Sequence, residues 1–215
     1  MGGMIFNATW QEIAILLPAL IIALSIHELC HGLAAYKFGD STAKRDGRLS
    51  LNPIRHLDPV GLIFILVVGF GWAKPVMVNP FNLRNPRVDM AFIAVAGPVS
   101  NFVLAFLAMF LLHLSYRLGI YQIHVFSAIL VFSQINIMLG LFNMLPIPPL
   151  DGSKVIAGLL PESVYRSLPP VGNYGMIILL IFMITGMTGR ILFPLISAFF
   201  NAFWRGAGWL AWLGA

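Results

Sequence analysis

Long apolar blocks alternate with short polar loops along this chain. The first block, Trp10 to Lys37, is helix-length and ends near Gly39. The polar stretch "STAKRDGRLSLNPIRHLDP" follows, with turn signals at Asp46-Gly47 and Asn52-Pro53. Within it, "GRLSLN" alternates like a short strand. The next apolar run, "VGLIFILVVGFGW", has 13 residues, below the ~17–25 that a bilayer-crossing helix needs. "AKPVMVNPFNLRNPR" is rich in proline and asparagine and predicts extended chain and turns. Four more apolar segments come after it: Val88 to Leu114, Tyr121 to Leu145, Gly172 to Met187 and Ile191 to Leu213. No internal repeat or low-complexity tail interrupts them.

Composition turns these blocks into membrane segments. The chain of 215 residues is 59% hydrophobic and 10% charged, with a mean hydropathy of +0.89, against about 45–50% and about 25% in a soluble domain. Backbone groups in lipid must pair within their own segment, so helices carry the crossings. The expected fold is an all-α polytopic membrane protein with about five transmembrane helices, a re-entrant segment, and short β-strands and loops near the site. One membrane domain over residues 1–215 is expected, with its core at 10–160 and C-terminal helices at 172–213. The net charge of +5 suits loops beside anionic lipid, and no basic stripe interleaved with aromatics supports a nucleic-acid partner. The single cysteine, Cys30, excludes an intrachain disulfide. Glu12 precedes the first block where a signal peptide would carry basic residues, and Phe6 breaks a myristoylation pattern.

The chemistry begins in "LSIHELCHG". His27, Glu28 and His31 fit H-E-x-x-H, and residues four apart share a helix face, so both imidazoles can reach one metal. Neutral imidazole nitrogen suits zinc, which lowers the pKa of a bound water toward about 7. Glu28, one residue round the helix, is placed to take that water's proton. Ionisable groups inside a membrane segment are expensive and mark function. Cys30 points off the shared face and reads as a small buried residue.

A catalytic zinc site has three protein ligands and an open position. His113 and His124 flank a short loop at the opposite end of their helices, and His56 reads as an interfacial or loop-bonding residue. Asp151, in "NMLPIPPLDGSKV", follows an apolar helix that Pro146, Pro148 and Pro149 must break. The backbone groups freed by that break are tolerable around a cavity, where a metal would neutralise the carboxylate. Asn136, Gly140 and Asn143 share one helix face. An amide aimed at an oxyanion stabilises it by about 2.7–4 kcal/mol, although Asn143 also suits a helix-end cap. Asn101, in "AGPVSN", is read as bonding neighbouring backbone, with Gly97-Pro98 allowing close helix approach.

His27 to His31, Asn143 to Pro146 and Leu150 to Gly152 together resemble the site-2 protease family of intramembrane zinc metalloproteases. "AVAGPVSNFVLA" (Ala94 to Ala105) and "GWAKPVMVNP" (Gly71 to Pro80) are similar to its small prokaryotic-type members, which carry no PDZ or CBS module. The resemblance spans roughly Ile22 to Lys154. It implies His27, His31 and Asp151 as ligands of one zinc ion, Glu28 as catalytic base, and Asn143 as the residue that holds the substrate carbonyl or oxyanion. It also implies single-span membrane proteins as substrates. The regulatory modules of larger relatives find no space between the motifs.

Placing all ligands at one depth constrains the topology. If residues 60–71 spanned the bilayer, Asp151 would lie on the wrong side; if they dip in and return, the ligands meet. The second arrangement gathers Lys37, Lys44, Arg45, Arg48, Arg55, Lys74, Arg84, Arg87, Lys154 and Arg166 on one side and leaves Arg117 on the other. The positive-inside rule makes the crowded side cytoplasmic, so a multi-pass protein of a prokaryotic cell membrane is expected, with its site toward the cytoplasm. "GRLSLN" and "AKPVMVN" are candidate edges for an unwound substrate. The alternative is a metal transporter or sensor, which uses the same ligands but gives Glu28 and Asn143 no role; a protease-like scaffold without activity is a third. The role of Lys74 stays open.

Overall fold

The computed structural model describes residues 9–68, 71–120, 122–167 and 172–213. Residues 1–8 of the expected single domain, two residues of the 60–71 segment, Tyr121 and residues 168–171 and 214–215 lie outside the described residues. Helix α1 (Trp10–Lys37) starts at a capping box: Thr9 Oγ1 accepts the Glu12 N–H, and Glu12 Oε2 accepts the Thr9 N–H, reciprocally satisfying two exposed donors. A short α2 (Thr42–Arg45) and α3 (Pro59–Val68) follow, then α4 (Pro86–Arg117) and α5 (Ile123–Asn143). After a proline-rich turn come α6 (Asp151–Leu159), α7 (Glu162–Ser167), α8 (Gly172–Ile184) and α9 (Met187–Trp212).

Three of these, α1, α4 and α5, are long and apolar enough to cross a membrane. At 1.5 Å per residue, their 28, 32 and 21 residues reach about 42, 48 and 32 Å, against about 30 Å of hydrocarbon. The expected count of five changes. Helices α8 and α9 are bent by 76° at their junction and form one broken span or a re-entrant pair, so the described residues hold three candidate spans, or four if the pair is one. The physical reason is Gly186, whose positive φ of 72° turns the chain where the apolar pattern alone reads straight on.

The expected short strands are also corrected: among the described residues no strand forms, and one isolated antiparallel bridge joins Leu57 to Ala73. "GRLSLN" closes on side chains instead of a neighbouring strand. The Arg48 guanidinium donates to the Arg55 carbonyl, Arg55 to the Gly47 carbonyl, and His56 Nε2 to the Ser50 carbonyl. These bonds satisfy backbone that a ladder would otherwise have to pair.

The bridge shows what α3 does. The Lys74 N–H donates to the His56 carbonyl at 2.8 Å, so the two ends of the α3 segment lie side by side. Ten residues rise only about 15 Å. The segment therefore leaves and returns on one side. The site repeats this message: the C-terminal part of α1, the N-terminal half of α4 and the C-terminal end of α5 meet at one depth. Hence α1 and α5 run parallel and α4 antiparallel to both.

Lipid tails are as apolar as leucine, so bundle packing rests on close contact and small residues. Ala23 on α1, Ala94 and Ala105 on α4 and Ala207 on α9 are all buried. On the face of α4 that bears Phe102 and Phe106, Phe102 stacks on Phe199 of α9 and both rings meet Phe203 edge-on, and Arg117 ties the end of α4 to the Ala211 carbonyl at 2.8 Å. The catalytic-motif helix α1 packs on α4 and α5.

Past the end of α1, Asp40 is fully buried. It accepts hydrogen bonds from the backbone and hydroxyl of Thr42, from the Asn79 N–H and from the Asn82 amide. Burial alone would raise its pKa; the bonds from Thr42, Asn82 and Asn79 outweigh that and lower it. This anchors the 75–82 segment to α1.

Two predictions follow from this arrangement. Single cysteines at Lys44 and Arg84 should label from the same face of sealed vesicles, and opposite faces would exclude a returning α3 segment. Asp40→Ala should lower thermal stability in detergent by about 1–3 kcal/mol. Because the folded-state pKa of Asp40 is depressed, its stabilisation is present above the unfolded value of about 3.9 and is lost as pH falls through the folded one. Acidification should therefore narrow the gap between wild type and variant, as read from melting curves.

Candidate metal centre

His27 and His31 sit one turn apart on α1 and are buried. Their Nε2 atoms are 3.0 Å apart, and Asp151 Oδ2 lies 3.2 and 3.1 Å from them. Each ring is oriented by its other nitrogen. His31 Nδ1 lies 2.7 Å from the Ile93 carbonyl, which can only accept, so Nδ1 carries the proton. His27 Nδ1 lies 2.6 Å from Asn101 Oδ1 and donates to it. Both Nε2 atoms therefore present lone pairs toward each other and toward a carboxylate oxygen.

Three unshared electron pairs converging in a buried site repel unless a cation lies among them. A tetrahedral zinc with bonds of about 2.0–2.2 Å sets its ligand atoms about 3.3–3.5 Å apart, close to the spacing here. Nitrogen, nitrogen and carboxylate oxygen are also a donor set that zinc takes in catalytic sites. The residues fit the metal.

Asp151 reaches this point because the chain breaks after α5. Pro146, Pro148 and Pro149 end that helix, and Asp151 opens α6. In the first turn it benefits from the positive end of the helix dipole. Burial works against its charge, and the neighbouring Lys154 ammonium favours the carboxylate form. Lys154 Nζ lies 3.4 Å from Oδ1. Gly152 is required beside it: a Cβ there would lie 2.2 Å from the Met144 carbonyl, so any side chain would push the turn away from the end of α5.

The three ligand candidates open into a cavity of about 320 Å³ that Glu28, Asn143 and residues 75–78 also line. Glu28 Oε2 accepts the Val76 N–H at 2.9 Å. Asn143 donates one amide proton to the Leu139 carbonyl at 3.0 Å, which leaves its second proton for another acceptor. All five residues singled out by sequence thus share one cavity. His56 lies elsewhere, bonded to Ser50 as a loop residue. Among the described residues, His27, His31 and Asp151 form the one group able to hold a metal ion.

Sequence reading missed three parts of the site. Asn101 bonds the His27 ring as well as backbone. Val76 supplies a backbone donor to Glu28. Gly97 leaves the space at the metal position: a Cβ there would lie 2.4 Å from His31 Nε2 and 2.6 Å from His27 Nε2. The signal for two of these was present in "AGPVSN", where Gly97 and Asn101 stand four apart on one helix face.

The fold and site define a bundle of apolar helices whose buried cavity gathers three residues able to hold a metal ion, with the Glu28 carboxylate in the same cavity. Comparison with known sequences agrees. The profile of Peptidase family M50 matches residues 119–186. "Putative zinc metalloprotease YwhC" of Bacillus subtilis is 45% identical over 188 residues, covering 85% of this chain and 86% of the relative. Rip2 of Mycolicibacterium smegmatis, which carries the same description, is 29% identical over 84% of this chain and 71% of its own length. "Zinc metalloprotease MJ0392" of Methanocaldococcus jannaschii is 26% identical over 86% of this chain and 47% of its own length. No solved structure matches the chain. The chain belongs to peptidase family M50, the site-2 protease family, as its motifs led one to expect. Membership places it among membrane-embedded zinc metalloproteases, and zinc is the cofactor that the donor set suits.

The tightest test of the metal position is Gly97→Ala. Its methyl group would intrude on both Nε2 atoms, so zinc affinity should fall at least as far as the roughly 10–100-fold seen on disturbing a metal's supporting residues, measured by competition with a chromogenic chelator.

Proposed function

We propose that this protein is an intramembrane zinc endopeptidase that cuts membrane-spanning substrates within or near the bilayer. The observation that carries the reading is the convergence of His27 Nε2, His31 Nε2 and Asp151 Oδ2 in the cavity that also holds Glu28. His27, His31 and Asp151 would hold the zinc ion, which when bound would supply Lewis acidity toward a water and the scissile carbonyl.

The chain's own residues supply the rest. Glu28 is the general base. The Val76 N–H engages its Oε2 and fixes the carboxylate, leaving Oε1 to take the proton of the attacking water and then deliver it to the departing amine. Asn143 directs its second amide proton to the oxyanion that develops on the substrate carbonyl. Lys154, bonded to Asp151 Oδ1, holds that carboxylate so that Oδ2 faces the imidazoles.

A helical substrate hides its carbonyls in its own hydrogen bonds, so it must unwind before attack. Residues 75–78 line the cavity and offer an edge along which an extended chain can pair. Single-span membrane proteins reaching the cavity sideways from the bilayer are the substrate class. The helix ends and loops on the site's side carry Lys37, Lys44, Arg45, Arg48, Arg55, Lys74, Arg84 and Arg87, which by the positive-inside rule favours a site toward the cytoplasm.

Glu28→Gln should retain stoichiometric zinc and lose cleavage of a single-span substrate by about 10²–10⁴-fold. Metal analysis and a cleavage assay on the same preparations check this; full activity in the variant would remove Glu28 as base.

A further inference from the structure

Two asparagines lie fully buried in the bundle, Asn101 on α4 and Asn136 on α5. An amide withdrawn from water without partners costs several kcal/mol in an apolar medium, so their bonds are informative. Asn136 Nδ2 donates to the Phe132 carbonyl at 2.8 Å. Asn101 Nδ2 donates to Asn136 Oδ1 at 2.9 Å and, at 3.4 Å, to the Ala23 carbonyl on α1. Asn101 Oδ1 then faces His27 Nδ1 at 2.6 Å.

These bonds have one direction. The Phe132 carbonyl can only accept, which sets the Asn136 amide with its oxygen toward Asn101. Turning the Asn101 amide over would set its oxygen against two acceptors, Asn136 Oδ1 and the Ala23 carbonyl. Its oxygen must therefore face His27, and His27 must donate from Nδ1. Three helices contribute: the backbone of α5 orients Asn136, which orients Asn101 on α4, which selects the tautomer of His27 on α1. His31 differs, since its Nδ1 is held by the backbone carbonyl of Ile93, beyond the reach of any side-chain change.

We infer that Asn136 and Asn101 form a hydrogen-bond relay that locks His27 as the Nδ1–H tautomer, so that Nε2 presents its lone pair to the metal. Both are positioning residues: neither touches the metal position. The relay rests on the reading of His27 as a zinc ligand. It deepens that reading by making the affinity of the centre depend on an amide two residues removed from it. Each bond also polarises the next, which strengthens the Nδ1–H···Oδ1 contact and raises the donor strength of Nε2.

The test uses the full chain in detergent micelles with three variants: Asn101→Leu, Asn101→Asp and Asn136→Leu. Zinc affinity is read by chelator competition, and the His27 tautomer in metal-free protein by ¹⁵N histidine side-chain correlation. Wild type should show His27 protonated at Nδ1. Asn101→Leu, close in volume, should bind zinc about 10–100-fold more weakly and populate the Nε2–H form. Asn101→Asp restores the acceptor for His27 Nδ1 but sets a second oxygen against Asn136 Oδ1 and the Ala23 carbonyl, so it should bind zinc more tightly than Asn101→Leu and more weakly than wild type. Asn136→Leu should fall between leucine and wild type at position 101, with part of the tautomer lost. A residue that merely fills space would give the reverse order at 101, because leucine suits the bundle interior better than aspartate.

Asn101→Leu with wild-type affinity and tautomer would overturn the relay, as would Asn101→Asp binding no better than Asn101→Leu. If Asn101→Leu fails to fold, Asn136→Leu decides: unchanged affinity and tautomer overturn the relay, and a loss of both supports it. A wild-type protein that does not bind zinc would instead overturn the metal reading, while its metal-free tautomer would still decide the relay.

Discussion

Two imidazole lone pairs and a carboxylate oxygen meet within about 3 Å of one another in a buried pocket of a membrane bundle, and the rest of the molecule serves that convergence. Unshielded by a cation, the contact is repulsive in a low dielectric. It exists because each donor is oriented from behind: His31 by a backbone carbonyl, His27 by Asn101, Asp151 by Lys154 and the start of α6. The supports of both histidines lie on α4, one of the helices long and apolar enough to cross a membrane, so the histidine pair cannot shift without shifting the bundle.

The depth of the site follows from the same requirement. Donors on α1 and on the turn after α5 can meet only if the two helices run parallel, which leaves room for one crossing between them. Helix α4 takes that crossing and brings Gly97 to the one place where a side chain would fill the metal position. The α3 segment is left to turn back, which its length allows and its paired ends require. The 75–82 segment then lies over the site, held by Asp40 at one end and by the Leu57–Ala73 bridge at the other, with the Val76 N–H on Glu28 between them.

Much of this was legible in the order of residues. The H-E-x-x-H spacing puts two imidazoles on one face of any helix, and the prolines before Asp151 must end a helix whatever surrounds them. The short run at residues 60–71 could not cross a bilayer by length alone. The strands and the count of five crossings were not legible. "GRLSLN" has the alternation of a strand, but guanidinium and imidazole groups satisfy its backbone first. The apolar pattern from residue 172 onward cannot reveal the 76° bend between α8 and α9, because a bend is set by one glycine's torsion and by the packing of α9 on α4.

By itself, then, the sequence determined the chemical inventory, namely two histidines, a glutamate, an aspartate and an asparagine at spacings that suit a metal and a base, and the apolar lengths that embed them in a membrane. Local geometry suffices for those, since helix periodicity and proline act over a few residues. The tertiary structure alone decided how each donor is aimed. The tautomer of His27 depends on an amide on α4 that depends on another on α5, and the space for a metal depends on the lack of a Cβ at residue 97. Those are contacts between segments far apart in the chain, and no local pattern encodes them.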